Sequence, residues 1–175
     1  MISVKMQDAI NKQIQAEMYS ANLYLSMSAY CELKGVKGVG NWLRVQYQEE
    51  MAHALLLLDY LKERGGKVQL AQVEAPPADF GTLTEVFTKV LEHERHVTGL
   101  INQLYEVAIQ EKDFAAQIFL QWFVNEQVEE EANATEILDK LAIIGDRGVD
   151  ILYMDKELST RVFVPPSIAA TNSNG

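Results

Sequence analysis

The sequence is short of the residues that cross-link or interrupt a chain. Of its 175 residues one is cysteine, Cys31, and four are proline. A lone cysteine excludes an internal disulfide and agrees with a reducing compartment. The prolines fall in two pairs, Pro76-Pro77 and Pro165-Pro166, so the long stretches before and between them are free to be helical. Apolar runs are short as well. The longest, Ala54 to Leu58, is far below the roughly 20 residues needed to span a bilayer. The N-terminal MISVKMQDAIN turns polar from residue 5 and has no apolar h-region, so a secretory signal is not expected and a cytoplasmic location is. Basic residues are in deficit: 15 Lys and Arg against 25 Asp and Glu leave a formal charge of −10. That balance argues against nucleic acid or an anionic membrane as a partner and is compatible with cations.

What is present is helix-forming and amphipathic. Hydrophobic residues make up 48% of the chain, and a chain of this length buries roughly 70% of its unfolded surface in a single domain. Four long helical segments are expected, then a short one. The first runs from about Ser3, a plausible N-cap, to Lys34, where Gly35 stops it. The second covers about Gly38 to Arg64 and ends at Gly65-Gly66. The third starts at a Thr82 cap, with Glu85 three residues on as in a capping box, and reaches about Lys112. No Gly or Pro marks its end, so the break at Glu111 to Asp113 is placed from a shift in apolar phase. The fourth continues to Ile144 and stops at Gly145, and a fifth fits Val149 to Thr160. The domain is expected over 1–164 and a flexible tail over 165–175. The first–second and third–fourth joints are a few residues long, which makes antiparallel hairpins. The second–third joint, Gly65 to Gly81, is long enough to run the length of a bundle. Two hairpins joined by one crossover is a ferritin-like arrangement.

Acids stand where core residues belong. Positions seven apart on a helix lie on nearly the same face. Four triplets share one pattern: Ile10, Glu17 and Tyr24; Leu43, Glu50 and Leu57; Phe87, Glu94 and Ile101; Phe123, Glu130 and Ile137. Each helix carries one glutamate at mid-length on its apolar stripe. A buried, unpaired carboxylate costs several kcal/mol, and four of them need a common compensation. No basic residue is expected at the matching level, since Arg44 and Arg64 only flank the second stripe. A metal cluster answers the need economically. His53 follows Glu50 by three residues, and Glu-x-x-His on a bundle helix is a di-metal ligand pair. On the fourth helix the same spacing joins Gln127 to Glu130, so the site is asymmetric, with imidazole on one side alone. Carboxylate and imidazole suit Fe(II), Mn(II) or Zn(II). Tyr24, one heptad after Glu17, is placed to hydrogen-bond a ligand or give up an electron. Glu49, Glu126 and Glu129 lie beside the stripe and, with Glu130, could bind a further cation. His93 and His96 flank Glu94 but fall off the stripe, so exposed side chains are expected there. Cys31, Met51, Trp42 and Trp122 read as packing residues.

With these motifs assembled, the sequence closely resembles the bacterial non-haem ferritins. The resemblance rests on Gln15-Ala16-Glu17 with Tyr24, Gln48 to His53, Ala75 to Phe80, Glu94 and Trp122 to Glu131. It implies a ferroxidase that oxidises Fe(II) with O2, stores ferric oxyhydroxide and assembles as a 24-subunit shell, with the fifth helix toward the fourfold axes. It also implies a first iron site at Glu17, Glu50 and His53 and a second at Glu50, Glu94 and Glu130, with Glu50 bridging. Gln127 matches a polar position beside the metals, and Glu49, Glu126, Glu129 and Glu130 match a third iron site. Haem-binding bacterioferritins carry a second Glu-x-x-His where this chain has Gln127-x-x-Glu130, so haem is not expected, although Met51 occupies the register of their haem ligand. A di-iron oxygenase and a twelve-subunit DNA-protecting mini-ferritin are the remaining rival readings.

Overall fold

In a computed structural model, residues 1–145 and 148–166 are described. They form α1 (Val4–Leu33), α2 (Lys37–Glu63), α3 (Leu83–Gln110), α4 (Phe114–Ile144) and α5 (Gly148–Leu158), with no strand among the described residues. Residues 167–175 of the expected tail lie outside the described residues.

The helix ends follow local chemistry. The Ser3 hydroxyl accepts the Met6 amide at the start of α1. Thr82 and Glu85 close a reciprocal capping box at α3, which satisfies two of the amides a helix leaves orphaned. Gly35 ends the first hairpin turn at φ 91°, a conformation glycine adopts without steric penalty. The α3–α4 turn has no glycine. There Lys112 takes the positive φ, 53°, with its amide on the Ile109 carbonyl at 3.0 Å. A non-glycine residue pays about 1 kcal/mol for that backbone. Lys112 is exposed, so Lys112→Gly is expected to stabilise the protein by about 1 kcal/mol in chemical denaturation. Next to it, Asp113 caps α4 through the Ala116 amide and takes a two-pronged ion pair from Arg64 at 2.9 and 3.1 Å. This ties the end of α2 to the start of α4.

The core is two apolar clusters, not one. Tyr24, Leu43, Phe87 and Ile137 belong to the first. Ile10, Leu57, Ile101 and Phe123 belong to the second. These are the outer members of the four triplets, so each stripe glutamate sits where one cluster gives way to the other. The order also gives the directions: α1 and α4 run from the second cluster to the first, and α2 and α3 the opposite way. Helices α2 and α3 are therefore parallel, and the connection between them must travel the length of the bundle.

That connection lies along α1. Gln7, Asn11 and Gln15, one turn apart, bond the backbone of Lys67, Gln69 and Gln72. Ser26 and Tyr30 reach the carbonyls of Pro77 and Gly81. A long irregular segment has backbone groups that need partners, and a polar stripe of α1 supplies them. At the far end α5 docks on the start of α2. The Asp155 carboxylate accepts the Val39 amide at 2.9 Å. The backbones approach so closely at Gly38 that a Cβ there would meet the Asp155 carbonyl oxygen at 1.7 Å.

Candidate metal centre

Glu17, Glu50, Glu94 and Glu130 arrive from four different helices, and each is at most 3% exposed. His53 is one turn beyond Glu50 on α2. Its ring packs edge-on against Trp122 and Phe123, with centroids 5.3 and 5.9 Å apart. Those contacts set the ring plane and leave Nδ1 3.4 Å from Glu50 Oε2, without a hydrogen bond to it. One ligand-capable atom from each of Glu17, Glu50 and His53 lies within 4.8 Å of the other two, a spacing that one cation can bridge.

Neutral amides and a phenol hold three of the four carboxylates. Gln13 donates to Glu17 Oε1 at 2.9 Å. Gln46 donates to Glu130 Oε2 at 2.8 Å. Glu94 accepts the Tyr24 hydroxyl on Oε1 and the Gln127 amide on Oε2 at 3.2 Å. Gln127 also reaches the Glu94 carbonyl and Thr98. Glu50 Oε2 and Glu17 Oε2 are buried with no donor at all. Buried acceptors almost always have a partner, and where Glu17, Glu50 and His53 converge the two carboxyls have only each other, with one oxygen of each left over.

Gln13 and Gln46 were not singled out from sequence. Their signal was present: each is an amide one turn before a stripe glutamate, Gln13 before Glu17 and Gln46 before Glu50. The cross-bundle partnership of Gln46 with Glu130 depends on α4 and is not readable along α2.

The electrostatics match four acids with no cation among them. Burial pushes the Glu17 carboxyl up to about 7, with Glu130 adding repulsion and the Gln13 bond opposing. Burial and the Glu130 charge push Glu94 up to about 8. Glu50 is raised well above its ordinary range by burial and by Glu94, Glu17 and Glu130, and Glu130 is raised by burial. Burial lowers His53 to about 4, which keeps its imidazole neutral at pH 7. The Tyr24 phenol is raised well above 10 by burial and by Glu94 and Glu50. Fewer than four negative charges are therefore present in this layer at neutral pH without metal.

Beside the centre lies the second acid layer. Glu49 and Glu126 are half-buried and Glu129 is exposed. Burial pushes Glu49 and Glu126 up to about 7, reinforced in each by neighbouring carboxylates. A residue outside the four long helices also reaches this layer: Arg161, after α5, pairs with Glu49 Oε2 at 2.7 Å. The expectation of no basic residue at this level is thereby corrected: Arg161 comes from beyond the helices that carry the stripe.

One expectation is corrected. His93 is not exposed: its Nε2 meets the Ser20 hydroxyl at 2.8 Å, and its ring packs against Tyr19 and Tyr24. Burial takes it down to about 4. The side of α3 next to the Glu94 stripe is covered by α1, which a helical phase alone does not reveal. His96 is exposed as expected, and Cys31, Trp42 and Trp122 are packing residues.

A four-helix bundle with a buried cluster of four glutamates and one histidine has the donor set of a carboxylate metal site. The chain belongs to the ferritin-like family, whose model matches residues 7–144. It is 50% identical over 161 residues to a bacterial non-heme ferritin of Bacteroides fragilis, covering 92% of this chain and 100% of that one. A bacterial non-heme ferritin of Escherichia coli is 39% identical over 160 residues, 91% of this chain and 97% of that one. Among solved structures, an engineered closed form of Archaeoglobus fulgidus ferritin is 52% identical with a TM-score of 0.92, covering 94% of this chain and 100% of that one.

Proposed function

We propose that this protein stores iron and is itself a ferroxidase, with Fe(II) and O2 as substrates and the ferric product kept as an oxyhydroxide mineral inside a 24-subunit shell. One observation carries the reading: Glu17, Glu50 and His53 converge within 4.8 Å while two of their carboxylate oxygens are buried without any donor. The ligand assignment gives one Fe(II) to Glu17, Glu50 and His53 and the other to Glu50, Glu94 and Glu130. Glu50 suits the bridging role because, unlike the other three, its carboxyl is held by no amide or phenol and is hydrogen-bonded only to the Glu17 carboxyl.

The other residues act on the ligands. Gln13, Gln46 and Gln127 orient Glu17, Glu130 and Glu94, the outer-sphere support that metal sites depend on. Gln127 belongs to the site in this way, as an amide donor to Glu94. His53, neutral at pH 7, has a ring-nitrogen lone pair available without losing a proton. The protonated carboxyls release their protons as the cations enter. Two Fe(II) give one electron each to one O2, which takes up two protons to leave as hydrogen peroxide, and the chain contributes geometry and negative charge that favour the ferric state. Glu49, Glu126, Glu129 and Glu130 would take a third iron beside the pair.

Shell assembly is supported by apolar side chains left exposed near the α4–α5 end. Ile143, Val149, Leu152 and Tyr153 are 64–79% exposed, and a patch of this kind marks an interaction surface. A location inside the cell fits the same reading. No helix among the described residues is long and apolar enough to cross a membrane.

Aerobic addition of two Fe(II) per subunit should give a fast ferric absorbance rise that saturates at that ratio. Oxidation no faster than that of Fe(II) in buffer would overturn the ferroxidase assignment. Tyr24→Phe removes the hydroxyl that Glu94 accepts. It should slow the fast phase about tenfold while the first two zinc ions per subunit still bind as in the parent; stopped-flow absorbance and calorimetry check the two halves.

A further inference from the structure

The chain carries its own cation into the second acid layer. Arg161 follows α5 and folds back onto α2. Its Nη2 donates to Glu49 Oε2 at 2.7 Å, and the two side chains are only 21% and 18% exposed. Its guanidinium carbon lies 4.5 Å from the centre of the Trp42 ring, the placement of a cation over an aromatic face. The backbone that presents it is anchored, because the Asn41 amide donates to the carbonyls of Ser159 at 3.3 Å and Arg161 at 2.9 Å. Beneath it α5 is held by the Asp155–Val39 bond. This is a built position, unlike a loose surface pair between two flexible chains.

Two features make the position exchangeable. Arg161 Nη1 is buried and has no acceptor, so the closed pairing leaves a donor unsatisfied. The Arg161 charge is also felt beyond Glu49, since it opposes the upward shift of both Glu126 and Glu130. The guanidinium is bonded to one of the four acids assigned to the third iron, Glu49. A divalent cation entering among Glu49, Glu126 and Glu130 would bring twice the charge and compete for the same oxygens.

We propose that Arg161 is a tethered counter-cation that occupies the third-site acids in the metal-free subunit and is displaced from Glu49 when a metal ion binds there. Loading of the third site is then an exchange of one cation for another and not a simple addition. Arg161 is a positioning residue and touches no reacting atom. The inference rests on the metal-centre assignment above and adds a control element to it. The pairing weakens the third site relative to the first two, so that the central pair fills first.

The test uses zinc, which binds without redox chemistry, and the full-length assembled protein. Calorimetric titration resolves the first two equivalents per subunit from the third. Arg161→Gln should tighten the third equivalent about tenfold, the scale of a lost charge-assisted hydrogen bond, and leave the first two unchanged. Arg161→Lys keeps the charge on the same arm and should bind the third zinc as the parent does. A second readout is tryptophan emission, compared between the parent and Arg161→Gln, because the guanidinium lies over the Trp42 ring. The third equivalent should change that emission when Arg161 is present and leave it unchanged in Arg161→Gln. Unchanged or weaker third-site binding in Arg161→Gln overturns the proposal, as does an Arg161→Lys variant that behaves like Arg161→Gln. Absence of tight binding for the first two zinc ions in every variant is a separate outcome; it overturns the metal-centre assignment and this inference with it.

Discussion

Protein carrying Glu50→Ala together with His53→Ala is expected to oxidise Fe(II) at least about a hundredfold more slowly than the parent in the first seconds after aerobic mixing. Loss of a single outer-sphere partner costs metal sites about 10- to 100-fold, and this double change removes the bridging carboxylate and the only imidazole of the cluster. Glu17 cannot substitute for them. Its Oε1 is already bonded to Gln13, and with Glu50 and His53 gone no other ligand lies with it in the 4.8 Å group. Slow oxidation through unfolding is separable from slow oxidation through loss of ligands. Glu50 has a buried oxygen without a donor, so its removal relieves one destabilising interaction even as the two truncations open space. The variant should still elute as the parent assembly and melt cooperatively. A parent-like rate would show that oxidation happens elsewhere on the molecule.

The second large effect is on the metal-free protein, and its sign follows from the shifted carboxyls. Glu17 rises from 4.5 to about 7 and Glu94 from 4.5 to about 8; Glu50 moves in the same direction. A carboxyl whose folded pKa exceeds its unfolded one holds its proton more tightly in the fold. That contribution is present at low pH and is lost as pH rises from 4.5 through the folded value. His53 and His93, lowered from 6.5 to about 4, act the other way and destabilise the fold as pH falls below 6.5. The two tendencies oppose each other between 4.5 and 6.5. Above 6.5 the histidines are neutral in both states and only the carboxyls act. The metal-free protein should therefore lose stability from pH 6.5 to 8, by about 2 kcal/mol for each proton the fold retains. Zinc loading should flatten the slope, because bound metal takes the place of the protons. Denaturant titration at three pH values, with and without zinc, measures both. A metal-free stability that is constant or rises over this range would contradict the burial of unpaired acids at the centre.

How much of this was legible depends on the kind of constraint. Helix existence, order and most boundaries came from residues acting on their own neighbours: the Ser3 cap, the Thr82–Glu85 box, Gly35 and Gly145. The unmarked end of α3 was placed within a few residues by apolar phase. Its actual device, a left-handed Lys112, has no compositional signature because the tertiary turn imposes it. The buried carboxylates were legible because seven-residue spacing places them between large apolar residues on every helix, and a periodicity of that kind survives small errors in helix ends.

The partners of those carboxylates were less accessible. Gln13 with Glu17 and Gln127 near Glu130 are helical neighbours and could be read from spacing. The bonds of Gln46 to Glu130, of Tyr24 to Glu94 and of Ser20 to His93 join different helices. They depend on the rotation of one helix about its axis relative to another.

The sequence by itself determined the four helices, the long crossover, the level at which four glutamates and His53 meet, and the asymmetry between His53 and Gln127-x-x-Glu130. All of these follow from backbone propensity and from side-chain periodicity along a single helix. Only the tertiary structure decided that the core splits into two clusters around the acids and that the crossover is held by Gln7, Asn11 and Gln15. The half-burial of His93 against α1 and the return of Arg161 from beyond α5 to Glu49 were decided there too. The physical reason is range. Propensity and amphipathic phase act over a few residues, whereas the pairing of Arg161 with Glu49, 112 positions apart, exists only once the helices between them have packed.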